Sequence, residues 1–205
     1  MLLQFIIFLI LSLGINCYIE LTSILYNKIL NPNKIIIQGD ITRDKISYII
    51  KQIENIILSN DDNNIFMILD TDGGDLLEGL RLLEWIEQTK SQYKINYQCI
   101  CVKAFSTGFN IFELCDFRYA LNNCVLKTHE PIITIKGTLE FANNYFQNNF
   151  TTHLEKYNNL LDKITNRIGM NLHDYKEKIN GKDWIIFNPT KIQKYNLADR
   201  IIYLA

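Results

Sequence analysis

The apolar residues of this chain follow two alternating patterns. Lys34 to Asp40 is a short apolar run that stops at a glycine, which predicts a strand. From Ile41 to Leu58 the residues Ile46, Ile49, Ile50, Ile53, Ile56 and Ile57 recur at helical spacing, with Thr42 placed to cap. Ser59 to Asn64 is a polar turn. Ile65 to Asp70 is apolar almost throughout, which predicts a strand buried on both faces in a parallel sheet. Thr71-Asp72-Gly73-Gly74-Asp75 reads as a tight turn into a helix that runs from Leu76 to Thr89. A third strand is expected over Ile95 to Val102, and further strand pieces at Arg118-Tyr119-Ala120 and Cys124-Val125-Leu126. A long helical stretch occupies Leu139 to Ile168, followed by a polar, partly helical segment over Asn171 to Asn180. Asn188-Pro189-Thr190 has proline just inside a helix start, that helix covers Ile192 to Ala198, and Asp199 to Tyr203 is a last strand. The order β-α-β-α-β-α-β predicts an α/β fold, with neither an internal repeat nor a linker between domains.

With 205 residues the chain suits one domain with a substantial core. Its formal net charge of -1 gives no reason to invoke nucleic acid. Residues 2–13 are almost wholly apolar, too short for a membrane span but of the length of a signal-peptide core. We read residues 1–17 as a cleavable signal or an N-terminal anchor, which would make the chain secretory or membrane-associated and otherwise cytoplasmic. Residues 18–33 form a connecting segment, and residues 34–205 the folded domain. The sequon Asn149-Phe150-Thr151 matters only if residues 1–17 lead into a secretory compartment.

The candidate chemistry starts at Ser106. An apolar strand delivers it to a glycine-containing helix start, Ser106-Thr107-Gly108, where free backbone N–H groups face a negative charge. A serine in that place also serves as an ordinary helix cap. The amides of Gly73 and Gly74 are candidates for an anion pocket, yet neither G-x-x-x-x-G-K-[ST] nor G-x-G-x-x-G spacing is present. Cys17, Cys99, Cys101, Cys115 and Cys124 form no C-x-x-C pair, which predicts packed thiols and argues against a disulfide framework or metal site. His153, in the long helix, and His173, in the polar segment, are expected at the surface. Nothing in the sequence asks for a cofactor.

Four stretches in order resemble the proteolytic subunit of the Clp protease, a serine peptidase of the ClpP/crotonase-like fold. Ile68 to Asp75 with Gly79 is similar to the family's strand, Pro-Gly-Gly turn and helix. Ala104-Phe105-Ser106-Thr107-Gly108 resembles its Ala-Ser-Met-Gly nucleophile turn, and Val125 to Pro131 its Met-Ile-His-Gln-Pro stretch. Asp183-Trp184 through Ile202 resembles its acidic position followed by the Tyr-Gly-Leu-Val-Asp ending. The interval of 23 residues from Ser106 to His129 is close to the family's.

The resemblance implies a layered sheet with flanking helices and a long handle-type helix. It implies Ser106 as nucleophile, His129 as general base, Asp183 as the acid that orients the imidazole, and the amides of Gly74 and Thr107 as an oxyanion hole. It further implies hydrolysis of unfolded polypeptide in a homo-oligomeric ring, fed by a separate AAA+ ATPase. Ile132 to Ile135 stand where the family has a glycine-rich strand that pairs with substrate. Three departures stand out: Asp72 replaces the proline, Phe105 a small residue, and one extra residue follows Asp183. They motivate a second reading, a catalytically weakened ring or adaptor subunit. A crotonase-type acyl-CoA enzyme shares the fold and the paired-amide oxyanion pocket, but no basic or adenine-binding loop for CoA is evident, and a Ser-Lys peptidase needs a lysine where His129 stands.

Overall fold

The computed structural model describes residues 33–59, 63–132 and 137–203. The apolar run at 2–13, the connecting segment before residue 33, Cys17, residues 60–62 of the turn at 59–64 and most of the expected edge strand at 132–135 lie outside them.

Four parallel strands make the body of one sheet: β1 (Lys34–Ile41), β2 (Asn64–Gly74), β3 (Asn96–Phe105) and β4 (Phe117–Thr128), paired in that order. β5 (Trp184–Ile186) pairs antiparallel with the second half of β4, and β6 (Arg200–Ile202) pairs parallel with its first half. Six strands with flanking helices confirm the mixed α/β architecture. The helices between the parallel strands are α1 (Arg43–Ser59), α2 (Leu76–Tyr93) and α3 (Thr107–Glu113). α1 packs on β1 and α2, while α3 reaches β2, β3, β4 and α2. Ile35 and Ile37 on β1, Met67 and Leu69 on β2, and Ile46, Ile49 and Ile53 on α1 are all buried. Each such side chain taken out of water contributes about 1.5–3 kcal/mol.

Several boundaries differ from the sequence reading: α2 runs past Thr89 to Tyr93, β3 past Val102 to Phe105, the helix expected over Ile192 to Ala198 is Pro189–Lys194, and two strands differ further. β2 does not stop at Asp70. It continues through the glycines, with Gly73 opposite Asp40 and Gly74 opposite Ile41. A Cβ on Gly74 would lie 2.3 Å from the Ile41 carbonyl oxygen, so the pairing requires glycine there. β4 is likewise one strand, where two pieces were expected, with a register shift opposite Cys101 to Lys103.

The long helix is continuous but not uniform. α4 (Leu139–Tyr145) passes through a π turn (Phe146–Phe150) into α5 (Thr151–Ile168). No residue from Leu139 to Phe150 is buried, whereas Leu160, Leu161, Ile164 and Ile168 enter the core. The handle-type helix therefore has an embedded half and a projecting half. Asn149 is exposed in the π turn. α6 (Leu172–Ile179) and α7 (Pro189–Lys194) complete the described residues. No described helix is long and apolar enough to cross a membrane.

One cysteine expectation is overturned. Cys99 on β3 and Cys115, just past α3, form a disulfide with Cα atoms 5.9 Å apart. They lie 16 residues apart in sequence, and only the return of the chain from β3 through α3 brings them together, which no local motif encodes. Cys101 and Cys124 are buried free thiols, as expected.

Candidate active site

β3 ends at Phe105, and the chain turns sharply at Ser106, whose φ of +50° and ψ of −118° are rare for a residue with a side chain. Its N–H donates to Lys127 O at 2.7 Å and its carbonyl accepts from the Asn110 N–H at 3.2 Å. Its hydroxyl makes no capping bond to α3, so the ordinary cap reading does not describe it. The N–H groups of Thr107, Gly108 and Phe109 precede the first intrahelical bond and point out of the start of α3.

The turn is held by interlocking small residues. A Cβ on Gly73 would lie 2.8 Å from Ser106 Cβ, and one on Gly108 would lie 2.4 Å from Thr71 Cγ2. Thr71 Oγ1 donates to Gly39 O at 2.5 Å and accepts from the Gly73 N–H at 3.0 Å. The Gly73 amide is thus committed within the fold and drops out of the expected anion pocket. Thr107 Oγ1 donates to Gly74 O at 3.0 Å, tying the two expected oxyanion-hole residues together.

His129 follows directly on β4. Thr128, the last residue of that strand, is buried and shares a hydrogen bond of 3.1 Å with Tyr175 on α6. The phenol of Tyr175 is pushed above its ordinary pKa, chiefly by burial, and stays protonated. His129 Nδ1 lies 2.6 Å from Glu130 O. A carbonyl oxygen only accepts, so Nδ1 is the donor in this contact, and in the neutral ring Nε2 holds the free lone pair.

Ser106, Thr107, Gly74 and His129 line one cavity of about 1040 Å³. Its opposite wall comes from α4, the π turn and α5, through Phe141, Tyr145, Phe150 and His153 among others. Among the described residues no hydrogen bond joins the Ser106 hydroxyl to His129, and such contacts commonly tighten only when substrate is bound.

Asp183 is not brought to this cavity. Its exposed carboxylate accepts from Lys127 Nζ at 3.3 Å. Thr128 pairs with Trp184 in the antiparallel β4–β5 ladder, so Asp183 follows in register towards His129, while its carboxylate is taken up by Lys127. The two departures near the nucleophile pack together. Lys103 Nζ bonds Asp72 at 3.0 Å, which balances that carboxylate beside the oxyanion donors. The Phe105 ring lies between Lys103 Nζ at 5.7 Å and Lys127 Nζ at 5.2 Å.

Behind the site, Arg118 at the start of β4 is fully buried between Glu113 of α3 and Asp199. Burial pushes the Glu113 carboxyl up to about 8 against the opposing pull of Arg118. Burial also raises Asp199, but the hydrogen bonds and charge of Arg118 outweigh it and leave that carboxyl below its ordinary value.

The sequence reading missed His153. It is half-buried in the cavity wall, with Nδ1 2.8 Å from the Tyr145 hydroxyl. The cavity-facing residues step by four from Phe141 to Tyr145, then by five to Phe150 across the π turn. A pattern sought at α-helical intervals loses that face halfway. His173 is exposed, as expected, and 3.5 Å from Glu177.

A family model described as Clp protease matches residues 20–204. The chain belongs to the Clp protease family. Membership makes it a relative of peptidases and agrees with the six-stranded α/β sheet. The Clp protease match also begins ahead of β1 and runs past β6, so it takes in every element of the site described above.

Proposed function

We propose that this Clp protease family member is a serine endopeptidase acting on unfolded polypeptide. Ser106 Oγ attacks the scissile carbonyl while His129 Nε2 takes its proton. The tetrahedral oxyanion is received by the N–H groups of Gly74 and Thr107, and one such donor is typically worth ~10²–10³ in rate. The imidazolium returns the proton to the leaving amine, which departs. Water, deprotonated by the same imidazole, then hydrolyses the Ser106 ester and frees the second product.

The observation that carries this reading is the Ser106 turn. A residue held in a costly backbone conformation, with its hydroxyl unused by the helix behind it, shares one cavity with an imidazole whose Nε2 is an acceptor. The projecting half of the long helix, with Leu139, Phe141 and Phe146 exposed, supports a homo-oligomeric ring, and a separate AAA+ ATPase would feed it. A fluorophosphonate probe tests the nucleophile. Stoichiometric labelling of Ser106, with peptide-ester hydrolysis lost in Ser106→Ala, is expected; undiminished hydrolysis by that variant refutes the proposal.

One observation favours the second reading, a catalytically weakened ring or adaptor subunit. The Asp183 carboxylate is engaged by Lys127 and does not face the cavity. A folded protein that assembles into rings but leaves Ser106 unlabelled would be this subunit.

A further inference from the structure

β3 and the far end of α3 are joined twice, by the chain that runs through Ser106 and by the bond between Cys99 and Cys115. The loop so closed, with a sequence separation of 16, holds the whole nucleophile turn: the end of β3, Ser106 and all of α3. We propose that this disulfide is a reducible staple on the nucleophile turn, so that thiol redox conditions set how firmly Ser106 is held and how fast it reacts. Its effect on stability stands by itself, and its effect on rate rests on the peptidase reading above.

The turn needs such a restraint. Ser106 is held at a φ of +50°, a conformation that persists only where its surroundings over-determine it. α3 has seven residues, too few to be stable on its own account, so its position is set at its two ends and by packing. Every residue of it is buried. Just past Cys115 a second fastening holds the same junction. Asp116 Oδ2 accepts from the Tyr97 N–H at 2.8 Å, and the Asp116 N–H donates to Tyr97 O at 2.8 Å. Tyr97 and Cys99 are two residues apart on β3, so the covalent bond and these hydrogen bonds secure neighbouring points of one strand. Reduction removes the first fastening and leaves the second. The sheet stays intact, the end of α3 gains freedom, and a short rigid helix passes that freedom to the Thr107 amide and to Ser106.

Cys99 is 0 % and Cys115 1 % exposed, so a reductant meets the bond only when the end of α3 opens. A small dithiol then reduces it in two exchanges. Its first thiolate attacks one sulfur and releases the other cysteine as a thiolate; its second attacks the mixed disulfide and releases the remaining cysteine. The dithiol leaves as its own disulfide, and its two electrons and two protons end on Cys99 and Cys115. Cys101 and Cys124, hydrogen-bonded neighbours in the same core, do not scramble this pair. Burial holds the Cys101 thiol well above its ordinary pKa, and only a thiolate attacks.

The test uses the full chain, oxidised and after treatment with a small dithiol, beside the double variants Cys99→Ala/Cys115→Ala and Cys101→Ala/Cys124→Ala. Mass spectrometry of protein alkylated before digestion is expected to show Cys99 linked to Cys115 in the oxidised chain. Reduction is expected to lower Tm by about 6–12 °C, the value of closing a loop of this length in a chain of this size. It is also expected to lower kcat on a peptide ester about 3–10-fold with KM nearly unchanged, and reoxidation to restore both. Cys99→Ala/Cys115→Ala should sit at or below the reduced values and ignore the dithiol, whereas Cys101→Ala/Cys124→Ala should keep the response. An oxidised chain without the Cys99–Cys115 link, a Tm that reduction shifts by less than about 2 °C, or a kcat that reduction leaves unchanged overturns the inference. Should Cys99→Ala/Cys115→Ala fail to fold, reduction of the wild-type chain carries the same readouts. If the oxidised chain neither hydrolyses the ester nor takes the fluorophosphonate probe, the peptidase reading fails, and the linkage and Tm still decide whether the staple exists.

Discussion

Gly79 on α2 and Thr107 on α3 are packed so closely that a Cβ on the glycine would lie 2.1 Å from the threonine Cγ2. Thr107 carries one of the two proposed oxyanion donors, so the fit between these helices also aims that amide. In Gly79→Ala the gain in helix propensity, about 1 kcal/mol, is set against overpacking of about 1–3 kcal/mol. Net destabilisation is expected, with kcat falling more than KM rises because Thr107 is pushed off its position. Denaturant unfolding and steady-state kinetics check both halves, and a more stable, fully active Gly79→Ala would show that the contact is not restrictive.

Ser106 holds a backbone conformation that glycine adopts freely. Ser106→Gly is expected to be inactive and yet more stable than wild type by about 1 kcal/mol. Ser106→Ala keeps the conformational cost and should gain nothing. Thermal unfolding of the two variants side by side separates strain from loss of the hydroxyl.

Glu113 makes stability depend on pH. Its folded pKa of about 8 lies above the ordinary 4.5, so the folded chain retains a proton that the unfolded chain releases. The contribution is complete below about 4.5 and is lost as pH rises through about 8. The slope is at most about 1.4 kcal/mol per pH unit. Asp199 acts with the opposite sign and in a separate, more acidic window, because its lowered pKa removes stability only as pH falls. Glu113→Gln should flatten the decline of Tm between about pH 4.5 and 8. The same slope in wild type and variant would mean that Arg118 keeps Glu113 ionised throughout.

Tyr145 and His153 present a polar pair on an otherwise largely aromatic and aliphatic cavity wall. Contacts from this wall would act on bound peptide in ground and transition state alike. His153→Ala is expected to raise KM about 3–10-fold, the value of one hydrogen bond, with kcat nearly unchanged. Kinetics on peptides of varied side chain will show which substrate position feels the change.

Much of this was legible before any coordinates. Alternating apolar runs placed β1, β3 and the helices, because burial repeats at fixed intervals in each kind of element. Ser106, Thr107, Gly74 and His129 were marked by local motifs, and the fold gathers them in one cavity. What escaped depended on long-range pairing. Gly73 and Gly74 read as a turn because glycine weakens a strand, yet β1 holds them in one. The extra residue after Asp183 gave no hint that its carboxylate would pair with Lys127. The disulfide required knowing how β3 and α3 return on each other, and His153 was hidden by a five-residue step.

The Asp199 carboxylate engages the backbone N–H and guanidinium of Arg118, at the opposite end of β4 from His129. Without that carboxylate the buried guanidinium would face only Glu113, which keeps its proton up to about pH 8, and its charge would stand uncompensated in the core. Loss of one carboxylate at the foot of the strand would thereby loosen the histidine that follows its far end.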